Sequence, residues 1–171
     1  MKEQSKLIRN QTTRSSNREH SVPLYLTSSF VFDDAEHGRA MFADEVEGNI
    51  YSRYSNPNTT EFINKIVEFE GAEDGLAFSS GMAAVFASIA GLLRSGDHIV
   101  AFRSVFGSTH QLFTTLLPRW GITTTYVDAS KPEDFEPALR PETKMVFLET
   151  PSNPGLELVD LEWLGKLKQK H

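Results

Sequence analysis

The chain has 171 residues, 39% of them hydrophobic, with a formal net charge of −6 and no cysteine. That length allows one domain with a sizeable core, and the apolar content is too high for a disordered chain. The acidic balance, with no basic stripe, argues against nucleic acid as a partner, and the lack of cysteine excludes disulfides and thiolate chemistry. The start, Met1 to His20, is polar and has no apolar stretch of the kind a secretory signal needs. The longest apolar stretch, Met82 to Leu93, is broken by Ser88 and Gly91 and is shorter than the ~20 residues of a membrane span. A cytoplasmic location is expected.

Residues 1–58 read as an extended arm, with one short helix around Ala35 to Ala43. An arm of this length is unusual in a lone compact domain and suggests packing against a second subunit. From Thr59 the pattern becomes regular. Phe62, Ile66 and Phe69 recur at helical spacing, so Thr60 to Glu70 is an amphipathic helix ended by Gly71. Leu76-Ala77-Phe78 is expected to be a short buried strand, and Gly81 to Arg94 a helix. The turn Ser95-Gly96-Asp97 leads into a strand, His98 to Phe102, and Ser108 to Trp120 is helical with Pro118 near its end. Thr123 to Val127 is a β-branched strand, Pro132 to Leu139 a short helix, Lys144 to Glu149 a strand and Leu161 to Lys170 a helix. Strands alternating with helices predict an α/β fold with a mostly parallel sheet and flanking helices. The last helix has no strand after it, where a right-handed crossover leads to one, so residues 59–171 are expected to be an incomplete α/β domain.

Four segments are candidates for chemistry. Ser79-Ser80-Gly81-Met82 joins a strand to a helix, and its small residues leave the first backbone N–H groups of the helix open to an anion such as phosphate. The plain alternative is an ordinary serine N-cap. It is neither a Walker loop nor a dinucleotide turn. Tyr51 and Arg53, two residues apart on an extended segment, point the same way and suit a phosphate, although a solvent-exposed pair is the simpler reading. Glu149-Thr150-Pro151-Ser152-Asn153-Pro154 follows a strand, at the end where open α/β sheets bind ligands, with two prolines to hold the Asn153 amide; a strand-ending turn would look the same. Phe106 also follows a strand and could stack on a planar ligand or belong to the core. The histidines lack metal-ligand spacing, and no metal is expected.

Taken in order, Tyr51-Ser52-Arg53-Tyr54-Ser55-Asn56-Pro57, Ser80-Gly81-Met82-Ala83, Ser95-Gly96-Asp97-His98 and Glu149-Thr150-Pro151-Ser152-Asn153-Pro154 resemble the Cys/Met-metabolism enzymes that use pyridoxal 5′-phosphate (PLP), the cystathionine γ-synthase-like family. The resemblance runs from about Thr12 to the end. It implies the N-terminal part of the large domain of a fold type I, aspartate-aminotransferase-like transferase. The backbone N–H groups of Gly81 and Met82 would hold the PLP phosphate, Phe106 would stack on the pyridine ring, and Asn153 would bond near the ring's phenolic oxygen with Glu149 in support. Tyr51 and Arg53 would reach the cofactor phosphate of a neighbouring subunit in a homotetramer, a dimer of dimers.

Phe106 departs from the family pattern, in which many members carry a tyrosine there; phenylalanine stacks but moves no proton. With Val105-Phe106-Gly107-Ser108-Thr109 and Leu117-Pro118-Arg119-Trp120-Gly121, it places the chain nearest the O-succinylhomoserine sulfhydrylase branch. That branch implies γ-replacement on an O-acyl-homoserine with sulfide, giving homocysteine for methionine biosynthesis. Cystathionine γ-synthase or γ-lyase activity, and a non-catalytic PLP-binding or partner-pairing module, remain as alternatives. Family members also use a later lysine for the Schiff base. Lys2, Lys6, Lys65, Lys131, Lys144, Lys166, Lys168 and Lys170 lie on polar helix faces, at a terminus or at a strand edge, and none is expected to be a desolvated nucleophile. No catalytic residue is assigned within the chain, which is expected to be inactive by itself.

Overall fold

The computed structural model describes residues 14–128 and 131–170, together with Ser5 and Ile8. Most of the polar start, Thr12 and His171 lie outside the described residues. The chain forms two compact units, Met1–Ala77 and Phe78–His171.

In the first unit, α1 (Ala35–Phe42) begins where the Asp34 carboxylate accepts the His37 N–H at 2.7 Å. Helix α2 (Pro57–Glu70) starts with Asn56 as N-cap and proline at its first position, and Gly71 ends it at φ 62°. The arm is fastened to this start by side-chain amides. Asn58 accepts the Tyr25 N–H at 2.8 Å and donates to the Pro23 carbonyl at 2.7 Å, and Asn56 donates to the Tyr25 carbonyl at 3.1 Å. Two backbone bonds, Phe30 N–H to Ile50 and Ser52 N–H to Ser28, pair the arm with itself around an antiparallel bridge of Ser29 with Tyr51. Phe62, Ile66 and Phe69, the apolar stripe that marks α2 in the sequence, are exposed.

The second unit is a three-layer α/β/α arrangement. Its elements are α3 (Gly81–Leu92), β1 (His98–Phe102), α4 (Gly107–Gln111), β2 (Thr123–Val127), α5 (Phe135–Ala138), β3 (Thr143–Phe147) and α6 (Leu161–Lys170). The strands are all parallel, in the order β2-β1-β3. Central β1 is buried along its whole length and feeds both faces alternately. Ile99 and Ala101 pack with Ile89 of α3, Leu93 just after it, and Leu112, Phe113 and Leu117 of the helical run after β1. Val100 and Phe102 pack with Val127, Phe135 and Leu167 on the other face. Burial on both sides accounts for a near-continuous apolar strand rather than an alternating one.

Helix α4 continues as a π-helical turn, Leu112–Leu116, and a 3₁₀ turn, Leu117–Trp120. Two residues explain the widening. Pro118 has no N–H to give the ladder, and the Thr114 hydroxyl bonds the His110 carbonyl at 2.8 Å. Gly121 closes the run at φ 75°, and a Cβ there would collide with Ser95 Oγ.

His98 joins the three strands where they begin. Its Nδ1 lies 2.7 Å from Thr143 Oγ1 of β3 and its Nε2 2.9 Å from Thr125 Oγ1 of β2. A neutral ring donates from one nitrogen and accepts at the other. Lys144 is the extra residue of a bulge in β3, which resets the register between His98 paired with Thr143 and Ile99 paired with Met145.

One expected element is absent. Leu76-Ala77-Phe78 forms no strand, and Leu76 is 82% exposed. A strand exists through its ladder, and among the described residues no strand pairs with this run. Two ends also shift: α3 stops at Leu92, with Leu93 already extended, and β3 stops at Phe147 as the chain enters the proline loop.

Candidate cofactor site

The strand order itself points to a place for a ligand. The chain passes from β1 to β2 on one side, then returns past β1 to lay β3 on the other. The junction between the carboxyl ends of β1 and β3 is therefore a switch point of the kind at which open α/β sheets bind ligands. The loop after β1 carries Phe106 and the loop after β3 carries Glu149 and Asn153.

Side chains link these loops to the start of α3. Glu149 Oε2 accepts the Phe106 backbone N–H at 2.9 Å, and its Oε1 lies 3.4 Å from the Thr109 hydroxyl. Thr109 is buried, and the same hydroxyl sits 3.8 Å from Met82 Sδ in the first turn of α3. Met82, Phe106 and Glu149 are thus brought together, with Thr109 between them. A second tie runs through Glu157, whose carboxylate accepts the Ser104 hydroxyl. Buried Ser152 holds Glu157 in turn: Ser152 N–H donates to the Glu157 carbonyl at 3.0 Å, and Ser152 Oγ accepts the Glu157 N–H at 3.0 Å.

At the start of α3 the Ser80 hydroxyl accepts the Ala83 N–H at 3.1 Å, as an N-cap should. Among the described residues no acceptor meets the N–H groups of Gly81 and Met82, and Gly81 is exposed with nothing within 4 Å of where a Cβ would stand. Two open donors at the positive end of a 12-residue helix suit a phosphate. The Phe106 ring is 44% exposed, so it is available for stacking and is not a core residue. Asn153 is exposed in the loop that Ser152 fastens. These donors and the free aromatic face fit a planar cofactor bearing a phosphate.

Tyr51 and Arg53 belong to the first unit. They meet across a turn and not along an extended segment: the N–H groups of Tyr54 and Ser55 both return to the Tyr51 carbonyl, at 2.8 and 3.1 Å. The Arg53 guanidinium lies 4.8 Å from the Tyr51 ring centroid and 5.6 Å from that of Tyr54. This is cation–π stacking that keeps the cation between two phenols.

The model of the Cys/Met metabolism PLP-dependent enzymes matches residues 4–171. The chain belongs to that family. The O-succinylhomoserine sulfhydrylase of Pseudomonas aeruginosa is 46% identical over 154 residues, covering 90% of this chain and 38% of that protein. The L-methionine gamma-lyase of Fusobacterium nucleatum is 44% identical over 147 residues, 86% of this chain and 37% of that one. Among solved structures, an O-acetylhomoserine (thiol)-lyase of Campylobacter jejuni bearing a pyridoxyl-lysine phosphate superposes with a TM-score of 0.91 at 29% identity, over 100% of this chain and 42% of that one. The chain therefore spans about two fifths of the length of the relatives it matches. The fold is that of the PLP-dependent fold type I enzymes, and the cofactor of this Cys/Met metabolism family is PLP.

The sequence missed Thr109 and Ser152. A threonine two residues after Phe106-Gly107 and a serine between two prolines carry no pattern of their own, and only the fold shows them buried between loops. Of the lysines, Lys65 pairs with Glu61 at 3.0 Å, Lys166 with Glu162 at 2.8 Å and Lys170 with Glu136 at 2.6 Å. Lys144 and Lys168 border an 830 Å³ groove along β3 and α6. Among the described residues no group of three or more His, Asp or Glu is placed to hold a metal, and no helix is long and apolar enough to cross a membrane.

Proposed function

We propose that the protein is a cytoplasmic PLP enzyme that performs γ-replacement on an O-acyl-homoserine, forming homocysteine from sulfide in the manner of an O-succinylhomoserine sulfhydrylase. The linkage of Met82, Thr109, Glu149 and Phe106 at the switch point, beside two open helix N–H donors, carries this reading.

The N–H groups of Gly81 and Met82 would bind the cofactor phosphate, and the Phe106 ring would stack on the pyridine ring. The Asn153 amide would donate to the phenolic oxygen. Tyr51 and Arg53 serve the phosphate of a neighbouring subunit in a dimer of dimers, their cation already held between phenols. Bound PLP supplies the electron sink for carbanions formed on the amino-acid substrate. Phe106 has no proton to give, which supports replacement chemistry over a lyase reaction that needs a phenol at that place. The described lysines are ion-paired or lie on exposed surface; the 171 residues alone are expected to give no turnover.

The test is a PLP titration followed by product analysis on the protein made from its complete gene. Homocysteine from O-succinylhomoserine and sulfide, with little release of methanethiol from methionine, is the expected result. Rapid breakdown of methionine would favour the γ-lyase reading, for which the Fusobacterium relative speaks. Absence of any PLP absorption band would end both.

A further inference from the structure

We propose that Glu149 is a positioning residue that sets the Phe106 ring by capping the helix behind it, and that it does not itself touch the cofactor. The inference rests on the PLP reading above and goes beyond it in saying how Glu149 acts.

Helix α4 begins at Gly107, and Phe106, its N-cap, has no side-chain oxygen to offer. A helix start needs acceptors for its first N–H groups. The acceptor comes from 43 positions away: Glu149 Oε2 takes the Phe106 N–H at 2.9 Å. The other oxygen faces the Thr109 hydroxyl at 3.4 Å, in the first turn of the same helix. The carboxylate thus spans the N-cap and the third residue of α4, two points that fix the axis on which Phe106 is mounted. A carboxylate at this end also meets the positive pole of the helix, which continues through Trp120.

The backbone of Phe106 is extended, with φ −56° and ψ 142°, so no local helix geometry fixes where its ring points. The ring is half exposed and makes no aromatic contact among the described residues. Its neighbour Gly107 has nothing within 4 Å of a Cβ position, so packing does not pin the turn either. The Phe106 backbone is held at two points, its N–H by Glu149 and its carbonyl by the His110 N–H, both at 2.9 Å, and of these the Glu149 tie is the one that comes from outside the helix. The Ser104–Glu157 bond steadies the same loop two residues earlier. Both oxygens of Glu149 are turned to α4, the arrangement a positioning role requires.

A double-mutant cycle between Glu149 and Phe106 tests this, with PLP affinity and amide exchange read in the protein made from its complete gene. Glu149→Ala should weaken PLP binding about tenfold, the equivalent of one charge-assisted hydrogen bond. It should also speed exchange of the Phe106 amide by about the same factor. Glu149→Gln, which keeps an acceptor for that N–H but loses the charge, should fall between Glu149→Ala and wild type, about threefold from wild type in both. In a Phe106→Ala background, Glu149→Ala should leave PLP affinity within about twofold, because the ring it positions is gone. Independent, multiplying effects on affinity would overturn the proposal, as would an unchanged Phe106 amide in Glu149→Ala. A wild-type protein with no affinity for PLP would overturn the cofactor reading and the ring's role with it, while amide exchange would still report the cap.

Discussion

Two short apolar runs in this chain look alike on paper and end differently. His98 to Phe102 is the central strand, buried throughout. Leu76 to Phe78 pairs with nothing among the described residues and stands open to solvent. Composition separates them only weakly, through Ile99 and Val100 in the first and no β-branched residue in the second. What separates them is company: β1 has a parallel neighbour on each edge and a helix pair over each face, whereas the other run has no ladder. An apolar run is permission for a strand, and partners decide whether one forms.

The sharpest way to break this comparison is to put a charge in each run. Val100→Asp places an unpaired carboxylate between two helical layers and should cost more than ~4 kcal/mol, abolishing the cooperative unfolding transition. Next in size, His98→Ala should cost ~2–3 kcal/mol in chemical denaturation, from the lost ring and the two threonine hydroxyls left without it.

The same histidine gives a pH signature. Burial, and after it the Arg140 cation, hold the His98 pKa below its ordinary 6.5, against a smaller opposite pull from Glu142. The unfolded chain therefore binds that proton more tightly than the folded one. The neutral ring's contribution is complete above 6.5 and is lost as pH falls from there through the folded-state value. The melting temperature of wild type should fall more steeply than that of His98→Gln as pH drops from about 7 to about 5. Parallel slopes would remove His98 as the cause.

Gly121→Ala should be milder, ~1–2 kcal/mol, because alanine pays for the left-handed backbone and meets Ser95 Oγ. Smallest of all, Leu76→Asp should change stability by less than ~0.5 kcal/mol. A loss rivalling that of Val100→Asp would show that the run is covered in the working protein, and the contrast would dissolve.

How far the sequence could be read follows the same logic. Periodicity and turn residues located β1, β2 and α6 because each signal is local: β-branched Thr123 to Val127, Gly96 before β1 and the 3.6-residue pattern near the end. Motif order identified the PLP family and its fold. What stayed illegible was pairing. Nothing local says that β3 lies beside β1 instead of β2, that His98 reaches Thr125 and Thr143, or that Glu149 caps a helix 43 positions back. The turn at Tyr51 was read as extended because its closing bonds run backbone to backbone and leave no mark in residue type. Thr114 and Pro118, four residues apart, could have signalled the π turn, since each withdraws a group from the same stretch of ladder.

The His98 staple has a consequence for anyone wishing to alter this protein. It fastens the strands at the edge where they start, and every residue assigned here to PLP in the second unit lies beyond the edge where β1 and β3 stop or at the start of α3. Frame and chemistry therefore occupy opposite ends of the same sheet. A library confined to 103–109 and 149–157 rewrites the working end and leaves the clasp untouched, so variants with new substrate preferences should keep the parent's melting behaviour, provided that Thr109, Glu149, Ser152 and Glu157, which tie those loops together, are held fixed.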